Sequence, residues 1–207
     1  MKDNRKFWDK AAKSYDKNEE KDKSVYENLF HTIKNYLNND DYMLDIGCGT
    51  GVLHDKISPH VMSITGIDYS EKMIAIAKEK ATQNTLNNVE YLCESLDQIT
   101  LREKKFNLVT AFYLLHLLPH LEDELKYIHE MLNPNDIFIS VTPCLKKSHL
   151  LGAFLSFSSS IGLTPELKKY QYEDLVDRME KTGFKIIEVN PIRKSTHEYL
   201  IVARKIN

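Results

Sequence analysis

The chain of 207 residues predicts a doubly wound α/β fold, and three observations predict it. From residue 42 onward, short apolar runs alternate with amphipathic runs of helical period, and strands alternating with helices cross over into a mostly parallel sheet. A glycine-rich turn, Gly47-Cys48-Gly49-Thr50-Gly51, follows the first apolar run. Two late apolar runs, Phe184 to Val189 and Tyr199 to Ala203, close the sheet as an antiparallel pair. The expectation is a seven-stranded, mostly parallel sheet with an antiparallel final strand, preceded by N-terminal helices.

The elements follow in order. Phe7, Trp8, Ala11, Ala12 and Tyr15 recur at helical spacing, and a second amphipathic run covers Ser24 to Leu37 before Asn38-Asn39-Asp40 breaks it. Tyr42 to Ile46 is the first strand, and a helix runs from the glycine turn to about Ser58. Val61 to Ile67 is the second strand. Ser70 is a natural N-cap for a helix to Leu86, with Met73, Ile74 and Ala77 on one face. Val89 to Cys93 and Phe106 to Phe112 are strands three and four, and Leu121 to Leu132 is helical. Asn133-Pro134-Asn135 reads as a turn before a fifth strand, Ile137 to Val141. Tyr172 to Thr182 is a helix ending at Gly183, a C′ glycine.

This length suits one α/β domain with one core. Its parts are an N-terminal helical lid (1–40), a core (41–143), a possible cap over the site (144–170), and a closing helix and strand pair (171–207). The formal charge of −2 shows no overall basic footprint of the kind that tight duplex binding usually leaves, while the many lysines keep a local basic face open. Cys48, Cys93 and Cys144 form no C-x-x-C pair, which argues against a zinc knuckle or dithiol site and suits a reducing compartment. The N-terminus is charged and no run of eighteen apolar residues occurs, so the expectation is a cytoplasmic protein without a leader or membrane span.

The segment Leu44 to Gly51 is the most informative. Glycines between a strand and a helix permit positive φ and let a ligand approach the backbone. Asp45 stands inside the apolar strand, where an unpaired carboxylate would be costly. Asp68 ends the next strand, in Gly66-Ile67-Asp68, about twenty residues beyond the first glycine. A carboxylate there can accept hydrogen bonds from both ribose hydroxyls. The dinucleotide fingerprint would place its third glycine at Val52, whereas this chain has it at Gly51.

These residues resemble the nucleotide-binding half of class I S-adenosylmethionine-dependent methyltransferases, which have a Rossmann-like fold. The likeness extends from Tyr42 to about Val141. It implies S-adenosyl-L-methionine as cofactor, with Gly47, Cys48, Gly49 and Gly51 beneath its ribose and methionine. It also implies Asp68 on the ribose, Tyr69 and Met73 against adenine, and Asp45 positioning the methionine part directly or through water. Ser95 falls where the family often caps the adenine with Asp; Leu96 is its neighbour and Asp97 the near alternative. Phe112 and Tyr113, at the end of the fourth strand, fall beside the methyl group. His116 is a candidate base for an acceptor hydroxyl, though a structural histidine reads equally well. His116 and His120 have metal-like spacing, but Pro119 interrupts the helix, and no metal is expected.

The motif Phe7-Trp8-x-x-x-Ala12-x-x-Tyr15-Asp16 resembles the lead-in of small-molecule and quinone-biosynthesis methyltransferases, which makes Tyr15 the candidate lid over the cofactor. Phe154, among Leu150, Leu151, Leu155 and Phe157, is the candidate contact for an acceptor with an apolar part; the same residues would also suit a protein contact. Cys144 after Pro143 lacks the motif of a nucleophile and reads as filler. The resemblance therefore implies methyl transfer to a small or lipid-like acceptor. A nucleotide-dependent oxidoreductase and a non-catalytic cofactor sensor remain the alternatives.

Overall fold

A computed structural model describes residues 4–19, 23–96, 104–144, 167–193 and 197–206. Seven strands form one sheet: β1 (Tyr42–Ile46), β2 (Ser63–Ile67), β3 (Val89–Leu92), β4 (Phe106–Phe112), β5 (Leu132–Pro143), β6 (Phe184–Arg193) and β7 (Glu198–Lys205). Their spatial order is β3-β2-β1-β4-β5-β7-β6. The pairs among the first five are parallel, and β7 lies antiparallel between β5 and β6. The expected architecture stands, including the antiparallel closure.

The order reverses between β1 and β4, so the connections leave the sheet in opposite directions there and open a crevice at the carboxyl ends. Strand alternation sends Met43, Ile64 and Leu108 to one face and Leu44, Ile67 and Val109 to the other. The first face is covered by α2 (Lys23–Ile33) and α3 (His54–Ile57), through Leu29, Ile33 and Ile57. The helix α4 (Glu71–Gln83) packs Ile74, Ala77 and Ala81 against Tyr91 of β3. The second face is covered by α5 (Leu121–Met131) and α6 (Tyr172–Thr182), whose Leu125, Ile128, Leu175 and Met179 are buried. Helix α1 (Arg5–Glu19) packs on α4. Among the described residues no helix is long and apolar enough to cross a membrane.

Local chemistry sets the boundaries. Ser70 caps α4, its hydroxyl accepting from the Met73 N–H at 3.2 Å. Gln171 and Asp174 form a reciprocal capping box on α6, and Gly183 ends that helix at φ +102°. Two expectations need correction. The helix after the glycine turn is a single turn, His54–Ile57, that tightens to a 3₁₀ turn at Ser58–His60; Pro59 has no N–H with which to continue the α ladder. Asn133-Pro134-Asn135 does not precede β5 but bulges within it. Leu132 pairs with Phe106 and pairing resumes at Ile137 opposite Leu108. The Asp136 carboxylate holds the bulge by accepting from both the backbone and the side-chain amide of Asn133, and Asn135 takes φ +74°.

Candidate cofactor and acceptor site

The glycine turn is fastened from below. The Cys48 N–H donates to Ile67 O at 3.0 Å, and the Gly51 N–H to Cys48 O at 2.9 Å. Gly47, Gly49 and Gly51 have φ of +67°, +55° and +67°, which side-chain-bearing residues adopt only with strain. Their surroundings differ. A Cβ on Gly51 would lie 2.4 Å from the Tyr91 hydroxyl and one on Gly47 2.8 Å from Leu114, whereas one on Gly49 would meet only Tyr15, at 3.9 Å. Gly49 therefore keeps an open space above the turn, while Gly51 makes room for the protein itself.

That space belongs to a cavity of about 900 Å³ along the carboxyl ends of the strands. Asp68 stands in its wall. Its Oδ2 accepts the Gly49 N–H at 3.1 Å and its Oδ1 the Ser70 N–H at 2.8 Å. Burial nevertheless pushes its carboxyl up to about 6. A carboxylate at this cost, beside a backbone cradle kept open, fits a ligand that brings hydroxyl donors. Tyr69, Met73, Ser95, Leu96, Phe112, Tyr113, His116 and Tyr15 line the same cavity with Gly47 and Gly49. The structure thus brings most of the expected site residues together.

Three do not line it. Asp45, expected at the methionine end, points to the other side of β1. Its Oδ2 lies 3.0 Å from His54 Nε2, and its Oδ1 accepts from Thr110 Oγ1 at 2.6 Å. His54 Nδ1 continues to the Tyr91 hydroxyl at 2.8 Å. This buried chain answers the cost of a carboxylate in the strand, since each of its polar groups is paired within the protein. Strand alternation is the reason, because Asp45 shares a face with Met43. Cys48 turns its thiol into the core near Gly66, where burial drives its pKa well up. Gly51 is packed beneath Tyr91 as described. Phe154, Asp97 and the segment proposed as a cap, except Cys144 and 167–170, lie outside the described residues. Cys144 is buried, its pKa pushed up to about 12 by desolvation, as a filler thiol would be.

Helix α1 closes the cavity from above. Trp8 and Tyr15 face each other with ring centres 6.4 Å apart, and both line the cavity. Two aspartates pin this helix. Asp9 accepts from Ser70 Oγ at 2.6 Å and from the Lys72 N–H at 3.3 Å. Asp16 accepts from Thr50 Oγ1 and, at 2.9 Å, from Lys80 Nζ. The lid is thereby tied to the glycine turn and to the start of α4.

At the opposite end, Tyr113 adopts φ +55°, uncommon for a residue with a side chain. Its hydroxyl donates to Glu198 Oε2 at 3.0 Å, and its ring lies 6.2 Å from that of Tyr26. His116 is 9% exposed with no hydrogen-bond partner at Nδ1, and desolvation lowers its pKa to about 4. Glu198, Arg193, Tyr26 and Tyr127 also line this end and were not foreseen. They come from distant segments that only the sheet order brings together, so no local spacing announces them.

A family model described as "Methyltransferase domain" matches residues 43–135. The chain is 27% identical over 156 residues to a ubiquinone biosynthesis O-methyltransferase of Coxiella burnetii, covering 73% of this chain and 66% of that protein. It is 28% identical over 169 residues to a malonyl-[acyl-carrier protein] O-methyltransferase of Marinomonas sp., covering 79% and 54%. It thus spans about two thirds of the first relative and about half of the second. Among solved structures, magnesium protoporphyrin IX methyltransferase from Synechocystis PCC 6803 with bound SAH shares the fold. The TM-score is 0.71 at 16% identity, covering 88% of this chain and 84% of that one.

Proposed function

With residues 43–135 matching a methyltransferase domain and the sheet that of the class I S-adenosylmethionine-dependent methyltransferases, we propose that this protein moves a methyl group from S-adenosylmethionine to a small-molecule acceptor. One observation carries the reading: Asp68 and the open backbone at Gly49 share one cavity wall at the switch point of the sheet. Asp68 accepts the ribose hydroxyls. Tyr69 and Met73 flank the adenine, with Ser95 and Leu96 at its edge. Tyr15 covers the methionine end from α1.

When bound, the cofactor's sulfonium supplies an already activated methyl carbon. The protein's task is to align the acceptor behind that carbon and to keep water out. Orientation of this kind is worth roughly 7–11 kcal/mol when the geometry is good. Phe112 and Tyr113 wall the transfer point at the end of β4. His116, neutral at physiological pH because burial holds its pKa near 4, accepts a hydrogen bond from an acceptor hydroxyl. So weak a base orients that hydroxyl and takes its proton only as the oxygen gains the methyl group and turns strongly acidic. An oxygen acceptor is supported by the relatives, both named as O-methyltransferases.

Calorimetric titration with S-adenosylmethionine and S-adenosylhomocysteine tests the reading. Saturable one-site binding of both is expected. Absence of binding to folded protein would overturn it.

A further inference from the structure

Methyl transfer as described makes no use of the outer side of the lid helix. Lys6, Lys10, Lys13 and Lys17 of α1 stand at intervals of four, three and four residues, and all are exposed. At the helical repeat they form one straight ridge about 16 Å long. We propose that this ridge docks the protein on an anionic lipid surface, with α1 lying flat against it. The inference stands on α1 alone and does not depend on what the cavity holds.

Segregation of charge is the first argument. The acids between Lys6 and Lys17 are Asp9 and Asp16, and both are turned inward. Asp9 accepts from Ser70 and the Lys72 N–H, and Asp16 from Thr50 and Lys80. Phe7, Trp8, Ala11 and Tyr15 line the cavity, on the side of the helix away from the ridge. Among the described residues none of the four lysines has a hydrogen-bond or ion-pair partner. The ridge therefore shows a single sign, on a chain whose formal charge is −2. The adjacent α4 exposes Glu71 and Glu79 beside Lys72 and Lys78, so this one-signed face is confined to α1.

The character of the face is the second argument. Protein interfaces bury an apolar centre and are poor in lysine. The large exposed apolar side chains among the described residues, Tyr42, Met62, Ile187 and Ile206, all lie off α1. Single-stranded nucleic acid is held by aromatic rings set among the cations, and the rings of α1 face the cavity. What the ridge offers is point charges on long flexible stems, without the planar fork of arginine. A straight convex row of these meets a flat field of anionic headgroups all at once, each lysine adding about fivefold to binding. Docking there brings the lid of the cavity to the bilayer, where an acceptor with an apolar part concentrates.

Co-sedimentation of the full chain with lipid vesicles tests this. Vesicles of phosphatidylcholine with about one third phosphatidylglycerol should bind it at low salt, pure phosphatidylcholine vesicles should not, and about 0.5 M salt should release it. The variant K6Q/K10Q/K13Q/K17Q should bind roughly 600-fold more weakly, and Lys13→Gln alone about fivefold. K126Q/K169Q/K181Q/K185Q removes the same charge from exposed positions on other elements and should stay within about threefold of wild type. The chain's only tryptophan, Trp8, lies on the cavity side, so its emission should not change on docking. No binding to the anionic vesicles, equal binding to both kinds, equal loss in the two quadruple variants, or binding to a short RNA in place of vesicles each overturns the proposal. A blue shift of Trp8 overturns it too, because α1 would then have left the cavity and inserted its aromatic face. Should the ridge variant fail to fold, Lys13→Gln decides, and unchanged binding by it counts against the ridge. Failure of S-adenosylhomocysteine to bind removes the methyltransferase reading and leaves the ridge standing.

Discussion

Replacing Asp68 with Asn should strengthen the fold and weaken the ligand at once. Burial raises the carboxyl from 3.8 to about 6, and a difference of that size corresponds to about 3 kcal/mol disfavouring the ionised folded state. The sign follows from proton uptake. Between pH 4 and 6 the folded protein holds a proton that the unfolded chain has released, so wild-type stability falls as pH rises through this window. Above pH 6 the full cost is present; below pH 4 it is absent. Asn carries no such cost, but its single oxygen accepts from Gly49 or Ser70, not both, and one lost bond returns about 1 kcal/mol. The net gain at pH 8 is about 2 kcal/mol; near pH 4 the ionisation cost has gone and the lost bond leaves a deficit of about 1 kcal/mol. Affinity moves the other way, since one charge-assisted acceptor for a ribose hydroxyl is gone, worth about 2 kcal/mol or roughly thirtyfold in Kd. Denaturant melts at pH 4, 6 and 8, with titration of S-adenosylhomocysteine at pH 8, measure both. A variant less stable than wild type at pH 8, or one binding as tightly, would refute the reasoning.

Three more expectations follow from the turn and the lid. Gly51→Ala should cost about 2–3 kcal/mol of stability, because its methyl meets the Tyr91 hydroxyl. Gly49→Ala should cost only about 1 kcal/mol but abolish detectable S-adenosylhomocysteine binding; melts and titrations of the pair should show the two effects reversed in rank. Asp45→Asn disturbs the chain through His54 and Tyr91 and should lower stability by about 1–3 kcal/mol; a large affinity loss at unchanged stability would mean that Asp45 faces the ligand after all. Amide exchange around Tyr15 should slow on cofactor binding, and more so in Thr50→Val, which loosens the Asp16 latch; equal rates with and without ligand would contradict a lid.

Much of this fold is legible in the order of residues because period and punctuation agree. Phe106–Phe112 and Tyr172–Thr182 have the expected limits, the latter because Gly183 stops the helix in a conformation that other residues avoid. The bulge at Asn133–Asp136 reads as a turn in the sequence for an intelligible reason: its Asx chemistry is turn chemistry, and only the partner strand reveals that pairing continues on both sides. That Asp68, Gly47 and Gly49 share a cavity wall is legible because their positions follow from one contiguous strand-turn-helix unit. The position of Asp45 is not, since alternation in a strand says that successive residues diverge without saying which face holds the ligand. Glu198 and Arg193 were invisible for another reason. Their place depends on β7 entering between β5 and β6, a choice made by tertiary packing.

That same insertion has a consequence for biogenesis. While a ribosome is still making this chain, β5 shows an unpaired edge and β6 has no neighbour, because the strand that joins them, Glu198–Lys205, is synthesised after both. Until it emerges, Phe184 and Ile186 on one side and Phe138 and Val141 on the other have no zipper to close over them, and open strand edges invite intermolecular pairing. Nascent chains stalled before Glu198 should therefore be the ones that chaperones hold.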